Sequence, residues 1–249
     1  KKQMPAFAEQ ALNRAKALSP ANIGVLRGLV QAHLDQNQPA EAEQAVSELL
    51  AVLPSDRAGL GLRTDLRRAR GDLEGAVQDV SAILANTPGD FGVLSHFTTV
   101  CLQAGKGEAA RDALQSALSK NSADDGVWQL LSLVEARLTG DGKAVIDRWL
   151  EQRPDSPMAQ EALAVYLEAK GELAGAEAAV DKALQASEAF AMAQFVKLRQ
   201  ELRSNDPAAA LKRAQALATR ATTAESQRMI LGWLGLIHDR LGEYPQAAQ

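Results

Sequence analysis

The sequence predicts an all-α fold, a linear array of paired helices, and three observations carry that expectation. Pro20, Pro54 and Pro88 recur every 34 residues, a period that accommodates two helices and their connections. Ala and Leu dominate while aromatics make up only 4%, and such residues lose little side-chain freedom in a helix. Glycine turns and helix-capping residues fall at matching places between the prolines, which is how a chain punctuates a repeated helix–turn–helix unit.

Laid along the chain, the period gives a leading half repeat at 5–20 and full repeats at 23–56, 57–90, 91–124, 125–156, 157–190 and 191–224. A partial repeat at 228–249 follows. Fourteen helices are expected: one, then six pairs, then one. The turn inside each pair is written as Gly71-Asp72-Leu73, Gly105-Lys106-Gly107, Gly171-Glu172-Leu173 and Gly242-Glu243-Tyr244. Glycine suits this place because it accepts the left-handed backbone that ends a helix. About five residues later stands Ala42, Ala76, Ala110, Ala176, Ala210 or Ala247, small enough for the second helix to lie close on the first. Asn22, Asp56, Asp90, Asp124 and Ser156 precede the first helices, where side-chain oxygens cap free N–H groups.

These residues resemble the tetratricopeptide repeat family over essentially the whole chain. The last repeat matches best, through Trp233, Leu234, Gly235, Gly242, Tyr244 and Ala247. The resemblance implies a right-handed α-solenoid, and residues 1–249 are read as one domain. There are departures. The repeat at 125–156 is two residues short, with Leu138-Thr139-Gly140-Asp141-Gly142 in place of the usual turn. Residues 225–227 are extra and lengthen the first helix of the last repeat. Where large apolar side chains are usual, the repeats at 57 and 191 hold Arg63 and Arg67, and Lys197 and Glu201. Their apolar stripes run instead through Leu62, Leu66 and Ala69, and through Phe195, Leu198 and Leu202. The expectation is that these two helices turn about their axes. The chain opens on a lone second helix and stops in another just begun, so a piece of a longer protein is expected.

No catalytic constellation is visible. His33, His238 and Cys101 share one slot of their repeats, which fills the space between paired helices, and packing is the favoured role. His96 and Cys101 lie five apart on one helix and face different ways. The three histidines belong to separated repeats, so no metal is expected. Asp124, Asp125, Glu41 and Glu43 sit at helix starts, where acids complement the dipole. The single cysteine excludes an internal disulfide. No cofactor is implied. A net charge of −4 gives no general pull toward nucleic acid, and no apolar run reaches the length of a membrane span. Cytoplasm and periplasm are both compatible. Arg57, Arg63, Arg67, Arg68 and Arg70 form the densest basic cluster. It reads either as a solvated face answered by Asp65 and Asp72 or as a patch for an acidic partner.

The resemblance implies that one strip of each first helix lines a concave groove for a protein or peptide partner. By that analogy the strip holds Arg27, Gln31 and Leu34, then Asp65 and Arg68, then Ser95, Thr99 and Gln103. It continues through Gln129, Leu133 and Arg137, then Met158, Glu161 and Val165. Met192, Phe195, Arg199, Leu202 and Arg203 follow, and finally Met229, Gly232, Leu236 and Arg240. Docking is expected around Met192, Phe195, Arg199, Arg203 and Arg240, although Phe195 and Leu202 could equally be core. The clamp with which some relatives hold acidic chaperone tails is not matched, because its strip here carries Arg27, Gln31, Gly61, Leu62, Gly92 and His96. The expected function is an interaction scaffold or adaptor. The alternatives are the non-catalytic arm of a larger bacterial enzyme, with a sulfotransferase or glycosyltransferase domain elsewhere, and an assembly factor for a secretion or envelope complex.

Overall fold

Capping chemistry sets where five of the first helices begin. Asn22, Asp56, Asp90, Asp124 and Ser156 each accept a hydrogen bond from the backbone N–H three residues on, at 2.9–3.1 Å. This satisfies one of the four donors that a helix start leaves free. In the computed structural model, which describes residues 3–187, 191–204, 206–221 and 224–243, the described residues form fourteen helices and no strand. Tyr244 and Ala247 lie outside the described residues, as does the side chain of Met192.

Helix α1 (Gln3–Leu18) stands alone, and the pairs follow as α2 (Ile23–Asp35) with α3 (Pro39–Val52), α4 (Arg57–Ala69) with α5 (Leu73–Asn86), and α6 (Phe91–Gln103) with α7 (Gly107–Lys120). Then come α8 (Asp125–Thr139) and α9 (Lys143–Gln152), α10 (Pro157–Ala169) and α11 (Leu173–Ala186), α12 (Ala191–Arg203) and α13 (Pro207–Arg220), and lastly α14 (Ala224–Leu241). At 18 residues α14 is longer than the 13-residue α12, as the extra residues 225–227 require. The turns need positive φ. Gly71, Gly105, Gly171 and Gly242 supply it, and so does Gly140 in the short repeat. In the first repeat the position falls to Asn37, at φ 57°, one of the few residues besides glycine that tolerates this conformation.

Two compact units result, one of Lys1–Ser122 with Leu133–Gly140 and one of Ala123–Ser132 with Asp141–Gln249. In the first, neighbouring helices pack in chain order, and its core includes Leu29, Val30, Ala45, Val46, Leu50, Leu60, Ile83 and Val93. In the second, α10 packs on α11, α12 on α13 and α13 on α14, and α10 also touches α12. Leu198, Leu202, Ala210, Ala214 and Ile237 form one cluster there, and Ala164, Ala179, Val180 and Val196 another. Ala42, Ala76, Ala110, Ala176 and Ala210 are fully buried, so the small side chain does permit close approach of the paired helices.

Helix α4, the first helix of the degenerate repeat at 57, is not turned about its axis, whereas on α12 Leu198 and Leu202 of the expected stripe are buried. Leu26, Leu60, Leu94 and Trp128, spaced by 34, are all buried, and so are Val30, Thr64, Thr98 and Ser132. Helix α4 therefore keeps the register of its neighbours, with Leu60 and Thr64 buried and Ala69 exposed. Its arginines stay in the slots between the paired helices. Arg63 takes the slot of Leu29 and Phe97, Arg67 that of His33 and Cys101, and opposite them Asp79 takes that of Ala45 and Ala113. Asp79 is buried and accepts from Arg63 Nε at 2.9 Å, Arg63 Nη2 at 2.6 Å and Arg67 Nη1 at 2.8 Å. An apolar trio has been exchanged for an ionic one. The repeat at 191 does the same with other charges: Glu201 and Arg213 take the slots of Leu167 and Ala179, and Arg213 Nε lies 3.0 Å from both carboxylate oxygens of Glu201. Lys197 reaches back to Glu177 and Asp181 on α11, at 3.0 and 2.8 Å. Buried charge is tolerated only with such partners.

Candidate partner-binding surface

The basic cluster is answered within the fold. Arg67 and Arg70 both reach Glu43, Arg70 also reaches Asp72 at 3.0 Å, and Arg57 donates to Asp90 at 2.8 Å. Arg68 donates to Gln103 at 2.9 Å and to Asp65 at 3.1 Å. The acids involved extend beyond Asp65 and Asp72, and the Arg57 and Arg70 side chains remain 58% and 57% exposed. Glu43 accordingly serves two arginines besides standing in the first turns of α3.

The slot shared by His33, Cys101 and His238 is a packing position. His33 Nδ1 donates to Gln38 Oε1 at 2.8 Å and His238 Nδ1 to Glu243 Oε2 at 2.7 Å. Each imidazole thus ties its helix end to the turn five residues on. Cys101 is fully buried, and burial pushes its thiol up to about 11. A thiol so poor in thiolate is no nucleophile at neutral pH. Asp125 has a joining role in the second unit, accepting from Trp149 Nε1 at 2.8 Å and from Ser156 Oγ at 2.9 Å. Among the described residues no group of three or more His, Cys, Asp or Glu side chains could hold a metal, and no helix is long and apolar enough to cross a membrane.

In the first unit the strip is largely polar and internally paired. Arg27 donates to Asp56 at 2.6 Å and Gln31 to Asp35 at 2.7 Å, while His96 stands 3.5 Å from Asp65. On α8, Leu133 is 59% exposed and Arg137 is exposed. In the second unit the strip divides. Met158 and Phe195 are half-buried, Leu202 belongs to the core, and Val165 and Leu236 stand outward at 43% and 44% exposure. Met229 and Gly232 are exposed, and Arg240 Nη1 donates to the Leu202 carbonyl at 3.4 Å.

Arg199 and Arg203 are brought together on one acid that the sequence reading passed over. Glu168, in the last turn of α10, pairs with Arg199 and lies 2.7 Å from Arg203 Nη1. Its side chain is almost wholly covered. The signal was present in the spacing, since Glu168 precedes Arg199 by 31 residues, close to one repeat. Glu161, on the same helix, is only 7% exposed, and burial raises its carboxyl above the ordinary glutamate value, opposed by the charge of Arg199. The α10–α12 face thus carries two arginines and two glutamates, no net surplus of either sign.

Two family models described as tetratricopeptide repeat match the chain, one over residues 3–66 and the other over 129–189 and 197–249. Together they take in more than half of it. The chain belongs to the tetratricopeptide repeat family. Repeats of this family are generally non-catalytic and serve protein or peptide partners. Among solved structures, a tetratricopeptide repeat protein from Parabacteroides merdae ATCC 43184 is similar at 18% identity and a TM-score of 0.51, over 93% of each chain. YrrB, a TPR protein with an unusual peptide-binding site, is 16% identical at a TM-score of 0.46, over 76% of this chain and 99% of its own. PilW, a type IV pilus biogenesis factor, is 15% identical at 0.47, over 84% and 98%. Likeness at this level bears on the fold of a tetratricopeptide repeat protein and on nothing finer. No curated protein sequence matches the chain.

Proposed function

We propose that this tetratricopeptide repeat protein is an interaction scaffold whose partner, a peptide or protein segment, docks on the outward strip of its first helices. We also propose that residues 1–249 act as one domain in doing so. The observation that supports docking is the exposure of Val165 on α10 and Leu236 on α14, at 43% and 44%. On α10 the other large apolar side chains are covered or half-covered, and on α14 Met229 and Leu231 stand outward along with Leu236. Apolar anchors on a preformed surface give affinity with little ordering cost. Arg199 and Arg203 then act as positioned donors at the edge of the strip rather than as free cations, because Glu168 already offsets them.

This arrangement decides which substitutions test the idea. Replacing Arg199 and Arg203 by Glu would leave the covered Glu168 among like charges and risk unfolding the helix pair. Val165→Lys and Leu236→Lys change exposed positions and should leave stability within about 0.5 kcal/mol. Peptides selected from a displayed random library on the full chain should bind the wild type and lose at least tenfold in affinity on the double variant. Equal binding by both proteins, with unchanged melting curves, would remove the strip from consideration.

A further inference from the structure

The fourth residue of each repeat is a large apolar side chain in the first four repeats: Leu26, Leu60, Leu94 and Trp128, all buried. Trp128 on α8 is 3% exposed and lies beneath the guanidinium of Arg148 on α9, whose Cζ is 5.6 Å from the ring centroid. The next repeat keeps half of this arrangement. Lys182 on α11 takes the place of Arg148, each standing five residues before the residue that caps its helix. Gln160 on α10 takes the place of Trp128. It is buried, and its Nε2 donates to the Pro154 carbonyl at 3.3 Å, toward the loop before α10. The place that an aromatic ring fills in one repeat adjoins a cavity of about 700 Å³ in the next, with Leu150, Pro154, Asp155, Gln160, Leu163 and Lys182 in its wall. Cavities of this size hold ligands. Solvent reaches it, since Pro154, Asp155 and Lys182 are exposed and Leu150 and Leu163 are half-buried. Leu131, the counterpart of Leu163 one repeat earlier, is fully buried. Neither Lys182 nor Asp155 has an ion-pair partner among the described residues.

We propose that this cavity among α9, α10 and α11 takes a tryptophan side chain of a partner protein, seated under Lys182 as Trp128 is seated under Arg148. The indole face meets the Lys182 ammonium, which is attracted to the electron-rich ring. Its apolar edges meet Leu150, Pro154 and Leu163. Asp155 supplies an acceptor for the indole N–H, the part that Asp125 plays for Trp149 at 2.8 Å. A leucine side chain makes no use of the cation or the acceptor, and a phenylalanine makes none of the acceptor. Tryptophan is also enriched among the few side chains that carry most of the energy in protein interfaces. No residue of the cavity wall belongs to the outward strip of the first helices, so this site stands apart from docking at Val165 and Leu236.

The test uses the full chain and the capped tripeptide acetyl-Gly-Trp-Gly-amide, with acetyl-Gly-Leu-Gly-amide and free indole as controls. The tryptophan peptide should shift the methyl resonances of Leu150 and Leu163 saturably, at roughly millimolar concentration for so small a ligand. Nuclear Overhauser contacts should join its indole ring to Leu163. The leucine peptide should bind at least tenfold more weakly, and free indole no more tightly than the tryptophan peptide. Gln160→Trp installs the residue of the preceding repeat, and it should abolish the saturable response while melting no lower than wild type. Lys182→Glu changes an exposed position and should weaken binding by about threefold or more, which keeps the test decisive if Gln160→Trp does not fold. Equal binding of the leucine peptide, tighter binding of free indole, or an affinity unchanged in Lys182→Glu would overturn the proposal. So would binding retained by a folded Gln160→Trp.

Discussion

Replacing Asp79 by Ala should destabilise the α4–α5 pair by about 2–4 kcal/mol. The carboxylate is buried and holds three charge-assisted hydrogen bonds from Arg63 and Arg67. Removing one partner of a buried ion pair costs about 3–5 kcal/mol, because the remaining charge is left uncompensated. Here the arginine side chains are 18% and 19% exposed, so water recovers part of that loss, and Glu43 still faces Arg67. For a chain of this length the change corresponds to a melting temperature lower by roughly 5–15 °C. The informative partner is the triple variant Arg63→Phe, Arg67→Cys, Asp79→Ala, which installs the residues found one repeat later at Phe97, Cys101 and Ala113. Since buried ion pairs are seldom better than well-packed apolar groups of similar volume, the triple variant should recover to within about 1 kcal/mol of wild type or exceed it. Urea unfolding followed by circular dichroism, with hydrogen exchange read in α4 and α5, measures both. If the single variant costs less than about 1 kcal/mol, or the triple variant is no better than the single, the exchange of an apolar trio for an ionic one is wrong.

Glu161 and Cys101 give two further expectations. Burial raises the Glu161 carboxyl, so the folded state binds its proton more readily than the unfolded chain does, and lowering the pH stabilises the fold through this group. Glu161→Gln should therefore be more stable than wild type at neutral pH, the gain fading as pH falls toward the ordinary glutamate value of 4.5; a gain independent of pH would exclude burial of the charge as its source. Cys101, fully buried with its thiol pushed up to about 11, should resist a thiol-specific chromogenic reagent at neutral pH and react promptly once urea unfolds the chain. Prompt reaction in the folded protein would contradict the packing role of that slot.

Much of this protein is written in one dimension because its contacts are local. A repeat buries its apolar face chiefly against its neighbours, so a period in the sequence becomes a period in space, and the prolines, the turn glycines and the five capping residues located the helices without knowledge of any distant contact. The small alanines at the crossing of each pair were legible for the same reason. Pairings that combine two unusual residues at once were not. Arg63 and Arg67 looked like a reason to turn α4, since an arginine alone in an apolar slot is costly. Only tertiary structure shows Asp79 standing across from them in what is elsewhere an alanine slot, so that the register is kept. Glu168 likewise decides the character of Arg199 and Arg203, a fact that no property of those two residues contains. Periodicity specifies which faces meet, and the atoms available across each meeting face decide whether a charge there is a binding group or a structural one.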